Sequence, residues 1–317
     1  MAYSSINDQN IKRWRPGFHI IPKTGWTNDP CALGYHAARG LYIVGFQWNP
    51  NGWQWSDISW GVAQSSDSVN WKVLSKPSLQ PSKEDDSDGI FTGCMVDMDE
   101  EGQTGEIITS FYTSAHKLPI HYTLPHQHGS ELLHMATSSD CGRTWQRYPG
   151  NPILPGPPPN VAVTGWRDPF VFRWASMDRI RQSAHQRGLY GIIAGGISGT
   201  TPTIFLYSLD PTNLTRWTLL STLVFPGLNL VLNPLWGDFG MNWEVTNIAT
   251  LKNEIGRQYE AVIVGVEGCQ FSDNDGQNQQ CRKSRSQSRP LRTGRAQKWF
   301  SGSLSLGQSS QPLMKIE

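Results

Sequence analysis

No run of about 18 consecutive apolar residues occurs in this 317-residue chain, so nothing in it reads as a membrane-spanning helix. The opening Met1-Ala2-Tyr3-Ser4-Ser5-Ile6-Asn7-Asp8 lacks a basic stretch followed by an apolar one. Without that secretory pattern, a cytoplasmic location is the expectation. Cysteine is scarce, with only Cys31, Cys94, Cys141, Cys269 and Cys281, odd in number and without metal-type spacing. Free thiols are expected, with no disulfide framework, metal or cofactor. The chain through Gln280 also lacks an excess of basic charge: 19 basic residues face 25 acidic ones, a net of −6. That body offers no footprint for nucleic acid and suits a neutral small-molecule partner. Helix-period segments are almost missing too, Ser176 to Gln186 being the one short exception.

What the chain does contain is 31 glycines, 21 prolines and 14 tryptophans, a composition of many turns and short aromatic strands that predicts an all-β protein. Strand patterns fall at Gly17 to Pro22, Leu41 to Gln47, Ser59 to Ala63 and Trp71 to Leu74. They recur at Ile107 to Tyr112, Leu132 to Thr137, Val171 to Trp174, Tyr190 to Ala194, Thr203 to Ser208, Trp243 to Leu251 and Tyr259 to Val266. A polar turn ending in tryptophan repeats through them. Ser66-Asp67-Ser68-Val69-Asn70-Trp71 returns as Ser139-Asp140-Cys141-Gly142-Arg143-Thr144-Trp145 and, more loosely, as Ser208-Leu209-Asp210 through Trp217, with the tryptophans 74 and then 72 residues apart. A repeat of that length, each copy a four-stranded unit, is the mark of a β-propeller with large blades.

The unusual short motifs keep step with this repeat. Asp29 in Trp26-Thr27-Asn28-Asp29-Pro30 precedes Trp71 by 42 residues, the Phe91-Thr92-Gly93-Cys94 stretch precedes Trp145 by about 50, and Asp168 precedes Trp217 by 49. Glu244 follows Asp168 by 76 residues, one further period. Taken singly, Asn-Asp-Pro is ordinary turn chemistry. At a shared blade phase, however, Asp29, Asp168 and Glu244 should converge on the central channel. Three converging carboxylates can hold a hard cation or perform acid/base and nucleophilic chemistry on a sugar. The tryptophans nearby, Trp26, Trp48, Trp53, Trp55, Trp166 and Trp243, favour the sugar, with about half of them expected in the blade core.

On these residues the sequence resembles glycoside hydrolase family 32, which includes the invertases, inulinases and fructosyltransferases, from about Phe18 to Cys269. Trp26-Thr27-Asn28-Asp29-Pro30 resembles its nucleophile motif, Phe46-Gln47-Trp48-Asn49-Pro50 with Trp55-Ser56-Asp57 its sugar-binding segment, and Arg167-Asp168-Pro169 its Arg-Asp-Pro motif; Glu244 stands where the family has its acid/base. The resemblance implies a five-bladed propeller and a retaining double displacement on a β-fructofuranoside, with the acting carboxylates roughly 5 to 5.5 Å apart. Asp29 would attack the anomeric carbon, Glu244 would serve as acid and then base, and Asp168 beside Arg167 would hold sugar hydroxyls. Trp26, Asn28, Gln47, Trp55 and Thr92 would complete the sugar contacts, and His121 and Glu267 would stand at the rim. Cys31-Ala32 after Asp-Pro, Thr92-Gly93-Cys94-Met95, and Val245 after the acid/base depart from the plain invertase pattern and resemble the fructosyltransferase-like branch. Two other readings accompany this one: a non-catalytic sugar-binding propeller, and an inverting arabinan-type hydrolase with a similar Asp, Asp, Glu set.

The pattern changes after about residue 270. From Cys281 onward, 8 basic residues face the single acid Glu317, and Gln277 to Lys298 is rich in Arg, Ser and Gln. The expectation is a polar leader over 1–16, an incomplete propeller of about four blades over 17–270, and a disordered basic tail over 271–317 from a truncated or misread gene product, without a C-terminal β-sandwich.

Overall fold

A computed structural model describes Arg13 and residues 15–181, 188–232, 237–270, 294–306 and 312–316. Among these residues sixteen strands form four antiparallel sheets of four, each ordered as it occurs in sequence. The first holds β1 (Trp26–His36), β2 (Leu41–Asn49), β3 (Ser59–Ser65) and β4 (Lys72–Val73). The second holds β5 (Gly89–Val96), β6 (Ile108–Ala115), β7 (Glu131–Ser138) and β8 (Gln146–Arg147). The third holds β9 (Val163–Arg173), β10 (Leu189–Ile197), β11 (Thr201–Asp210) and β12 (Asn213–Thr222), and the fourth β13 (Asn242–Lys252), β14 (Gln258–Cys269), β15 (Gly294–Leu306) and β16 (Pro312–Ile316). Among the described residues a short helix, α1 (Ala175–Ile180), overlaps the start of the stretch from Ser176 to Gln186 read as helical in sequence.

Each sheet is one blade, and the apolar content of its strands is spent between blades. Trp60, Val62 and Ile43 of the first sheet pack with Ile90, Tyr112 and Trp145 of the second. Phe111, Leu133 and Met135 continue to Trp166, Ile193 and Phe205 of the third, and Ile192, Ile204 and Leu206 continue to Trp243, Val262 and Val264 of the fourth. Because a blade is covered on both faces, a middle strand such as β3 or β6 is buried at every position instead of alternating. The blade edges β4 and β8 are only two residues long, which leaves little unpaired backbone to recruit another strand. The repeated polar turns are pinned by their aspartates: Asp67 Oδ1 accepts the amides of Val69 and Asn70, and Asp140 Oδ1 accepts that of Thr144. Asp210 Oδ1 accepts the amide of Thr212 in the same way.

Two boundary expectations need correction. Gly17 to Pro22 forms no strand, and the first blade starts at Trp26. The Asn-Asp-Pro stretch is therefore strand, not turn; its irregularity is absorbed as a bulge. The tail is not strandless either. Over 294–306 and 312–316 it supplies the outer two strands of the fourth blade, and the Met314 amide donates to Leu223 O at 2.8 Å while its side chain is buried. Ladder hydrogen bonds are made by backbone, so the polar composition of 294–306 did not prevent pairing with β14. Residues 271–293 and most of the leader lie outside the described residues.

The innermost strands β1, β5, β9 and β13 neighbour one another around the channel, and each carries a bulge at the same level. Asn28 and Asp29 oppose Gln47 alone, Phe91 and Thr92 oppose Thr113, Asp168 and Pro169 oppose Ile193, and Val245 and Thr246 oppose Val264. An extra residue in one strand re-aims the side chains beside it, so the bulges turn the polar groups of four blades toward one place. Close backbone approach at the second bulge requires glycine: a Cβ on Gly93 would stand 2.0 Å from Phe111 O. Gly93→Ala should therefore lower stability by about 2 to 3 kcal/mol, seen as a reduced urea midpoint with an unchanged slope.

Candidate active site

Asp29 comes from the bulge of β1. Its Oδ2 accepts a 2.9 Å hydrogen bond from Thr92 Oγ1 and its Oδ1 a 3.1 Å bond from Asn28 Nδ2. Gln47 Nε2 donates to Thr92 Oγ1 at 3.0 Å, and Gln47 Oε1 lies 3.4 Å from Asn28 Nδ2. The carboxylate is thus oriented by a closed polar ring and remains part-exposed. Thr92 belongs to the second blade, so this ring also ties two blades together.

Asp168 is buried, and its backbone has a positive φ of 63°. Its amide donates to Thr113 Oγ1 at 2.8 Å, while Oδ2 accepts the amide of Val245 at 2.9 Å. Val245 itself has φ 45°, a conformation that a β-branched residue adopts only when its surroundings impose it. Here the β13 bulge imposes it, and the amide points at Asp168. Burial pushes the Asp168 carboxyl well above the ordinary carboxylate range, and the charges of Glu244 and Asp29 push the same way against Arg167 and the Val245 amide.

Glu244 is held from the side by Arg167. The Arg167 Nη2 atom lies 3.3 Å from Glu244 Oε2 and 2.6 Å from Glu267 Oε2, and Nη1 lies 3.0 Å from Glu131 Oε1. Asn242 Nδ2 adds a 2.9 Å bond to Glu267 Oε2, and Thr164 Oγ1 donates to Asn242 Oδ1 at 2.7 Å. Burial would lower the guanidinium's proton affinity, yet Glu267, Glu131, Glu244 and Asp168 together raise it well above its ordinary value. Arg167 stays charged. Glu131 is fully buried; burial alone would raise its carboxyl, but the hydrogen bond from His126, the charge of Arg167 and the Trp166 amide hold it below the usual range.

Asp29, Asp168 and Glu244 line one cavity of about 470 Å³ with Thr92, Phe170 and Asn247. They also line an adjoining one of about 380 Å³ with Asn28, Gln47, Trp55, Arg167 and Glu267. The convergence expected from the repeat is realised. Trp55 forms part of the wall, its ring edge-on to Phe91 at 5.6 Å. Trp26 instead packs with Ile58, Phe91 and Ala115, and His121 lines a small neighbouring pocket with Lys117 and His126. Trp48, Trp166 and Trp243 are buried, their indole N–H groups donating to Thr24 O, Tyr207 Oη and Phe239 O, so they belong to the core. Among the described residues no three His, Cys, Asp or Glu side chains are grouped to hold a metal ion.

Glu131, His126, Asn242, Thr113 and Thr164 were not legible as site residues. None lies in a recurring motif: Glu131 and Thr113 contact Arg167 and Asp168 directly, whereas His126 acts through Glu131 and Thr164 through Asn242, which bonds Glu267. The one available signal was Glu131 itself, an acid heading the otherwise apolar strand pattern Leu132 to Thr137.

The chain matches the family model of the glycosyl hydrolases family 32 N-terminal domain over residues 19–290. It is 35% identical over 171 residues to a levanase of Bacillus subtilis, a match covering 54% of this chain and 22% of that protein. An extracellular exo-inulinase of Aspergillus niger is 30% identical over 245 residues, covering 66% of this chain and 44% of the relative. Among solved structures, the β-fructofuranosidase of Aspergillus kawachii complexed with glycerol superposes with a TM-score of 0.79 at 26% identity, over 96% of this chain and 46% of that one. The chain spans less than half the length of each of these three relatives.

Arg167 is the shared cation of this site, and its removal should cost stability in a pH-dependent way. Arg167→Met leaves Glu131, Glu244 and Glu267 without their common partner, and a loss of about 3 to 5 kcal/mol is expected at pH 7. Because the folded Glu131 carboxyl lies below its ordinary value of 4.5, its contribution is present above that value and fades as pH falls through the folded one. The difference between wild type and variant should therefore hold from pH 7 to about pH 5 and shrink as pH falls below 4.5 in urea titrations.

Proposed function

The chain belongs to glycosyl hydrolase family 32, and from that membership we propose that its site transfers a fructosyl unit from a β-fructofuranoside to water or to a sugar hydroxyl by a retaining double displacement. The observation that carries this reading is the division of exposure among three carboxylates on one cavity. Asp29 and Glu244 are part-exposed, whereas Asp168 is buried between them.

Asp29, oriented by Asn28 and Thr92, attacks the anomeric carbon as the bond to the leaving oxygen breaks. Glu244 gives that oxygen its proton. The resulting carboxylate then takes a proton from water or an acceptor hydroxyl, which attacks the same carbon and releases Asp29. Asp168, one oxygen of which is taken by the Val245 amide, hydrogen-bonds the sugar hydroxyls, and Arg167 keeps Glu244 and Glu267 in place. Trp55 and Gln47 supply the apolar and polar faces of the fructosyl pocket. The matched relatives, a levanase, an exo-inulinase and a β-fructofuranosidase, make sucrose and fructans the substrates to try.

Incubating the chain with sucrose, inulin or levan should release fructose, and the first-formed product should keep the β configuration by NMR. Asp29→Asn should lower the rate by at least about a thousandfold. Equal rates for both proteins would remove Asp29 as nucleophile; binding of sucrose without turnover would favour a sugar-binding module, and an inverted first product the inverting alternative.

A further inference from the structure

Glu131 is the one site carboxylate that lines neither cavity, yet it is fully buried and fully engaged. Its Oε2 accepts the Trp166 amide at 2.8 Å and faces His126 Nε2 at 3.1 Å, while Oε1 takes Arg167 Nη1 at 3.0 Å. Opposite a carboxylate held in its ionised form, that imidazole nitrogen carries the proton. A continuous chain therefore runs from the loop between β6 and β7 to the cleft: His126, Glu131, Arg167, and then Glu244 and Glu267, which share Arg167 Nη2.

We propose that Glu131, held by His126, is a positioning residue for Glu244: by engaging one amino group of Arg167 it limits how much of the guanidinium's charge reaches the acid/base carboxylate. The assignment rests on the fructosyl-transfer reading for Glu244's role, but the electrostatic claim stands on the hydrogen bonds alone. Among the described residues, the charged groups facing Glu244 are Asp29 from β1, Arg167 and Asp168 from β9, and Glu267 from β14, with Glu131 from β7 and His126 behind Arg167. Lys117 lines the small pocket behind His126.

The sign follows from charge. With Glu131 neutralised, one anion leaves the cluster and Arg167 is shared by Glu244, Glu267 and Asp168, so the Glu244 anion is favoured and the proton is lost at lower pH. With the His126 N–H donor removed, Glu131 loses one of its hydrogen bonds and draws harder on Arg167, and Glu244 keeps its proton to higher pH. The two substitutions act in opposite directions on one titration.

The test uses the full chain in two readouts. The first is the alkaline limb of kcat/KM on sucrose. The second is the 13C carboxyl shift of Glu244 against pH, assigned by its disappearance in Glu244→Gln, which needs no turnover. Glu131→Gln should lower both midpoints by about one pH unit, His126→Phe, which has no donor, should raise them, and Glu131→Asp, which keeps the charge, should return them toward wild type. Midpoints that stay in place, or that move the same way in Glu131→Gln and His126→Phe, would overturn the proposal and leave Glu131 a structural residue. Should Glu131→Gln fail to fold, His126→Phe decides alone: an upward shift supports the assignment and an unchanged midpoint ends it. A wild-type chain without turnover would count against the fructosyl-transfer reading, while the carboxyl titration would still decide this one.

Discussion

One guanidinium organises this site. Arg167 rises from the third blade, binds Glu131 of the second, and binds Glu244 and Glu267 of the fourth, so a single side chain spans three of the four sheets. Buried ion pairs are weak evidence for stability, because desolvation of the charges offsets much of their attraction. Their value here is geometric. Several carboxylates crowded at one end of a channel would otherwise separate or take up protons. A planar cation with five donors can satisfy them in a fixed arrangement.

The propeller makes such crowding available. Apolar side chains fill the interfaces between blades, leaving the inner ends of the first strands free for polar groups. The bulges then decide direction: Asn28-Asp29, Phe91-Thr92, Asp168-Pro169 and Val245-Thr246 interrupt four ladders at one level. Cross-blade hydrogen bonds link each blade to the next, from Thr92 to Asp29, from the Asp168 amide to Thr113, and from the Val245 amide to Asp168. Core packing thus sets where the blades stand, and the polar links set how their carboxylates face.

Reading the sequence located the middle strands of the blades, such as β2, β3, β6, β7, β10, β11 and β14, and the phase of the acids, because both leave a periodic trace; the innermost strands β1 and β5 were not read as strands. It failed where the trace was absent. The motif Trp26 to Pro30 looked like a turn, since Asn, Asp and Pro favour turns, but a bulge admits the same residues within a strand. Strand β15 was hidden by its polar composition and β16 by its shortness, because pairing of β15 with β14 is made by backbone and β16 pairs with β15 while Met314 reaches the core. The tryptophans could not be sorted by sequence either. Trp55 stands on the cavity wall, whereas Trp166 and Trp243 are in the core.

By itself the sequence determined that the chain is an all-β repeat carrying Asp29, Asp168 and Glu244 at one phase, since a period of about 73 residues and the positions of acids within it are properties of linear order. Only the tertiary structure decided which side chains surround those acids. Glu131 and Glu267 stand 36 and 100 residues from Arg167 in sequence and meet it at 3.0 and 2.6 Å in space. The reason is that burial and hydrogen-bond partnership across blades depend on how separate sheets pack, and no local pattern in the chain encodes a contact between strands that never pair.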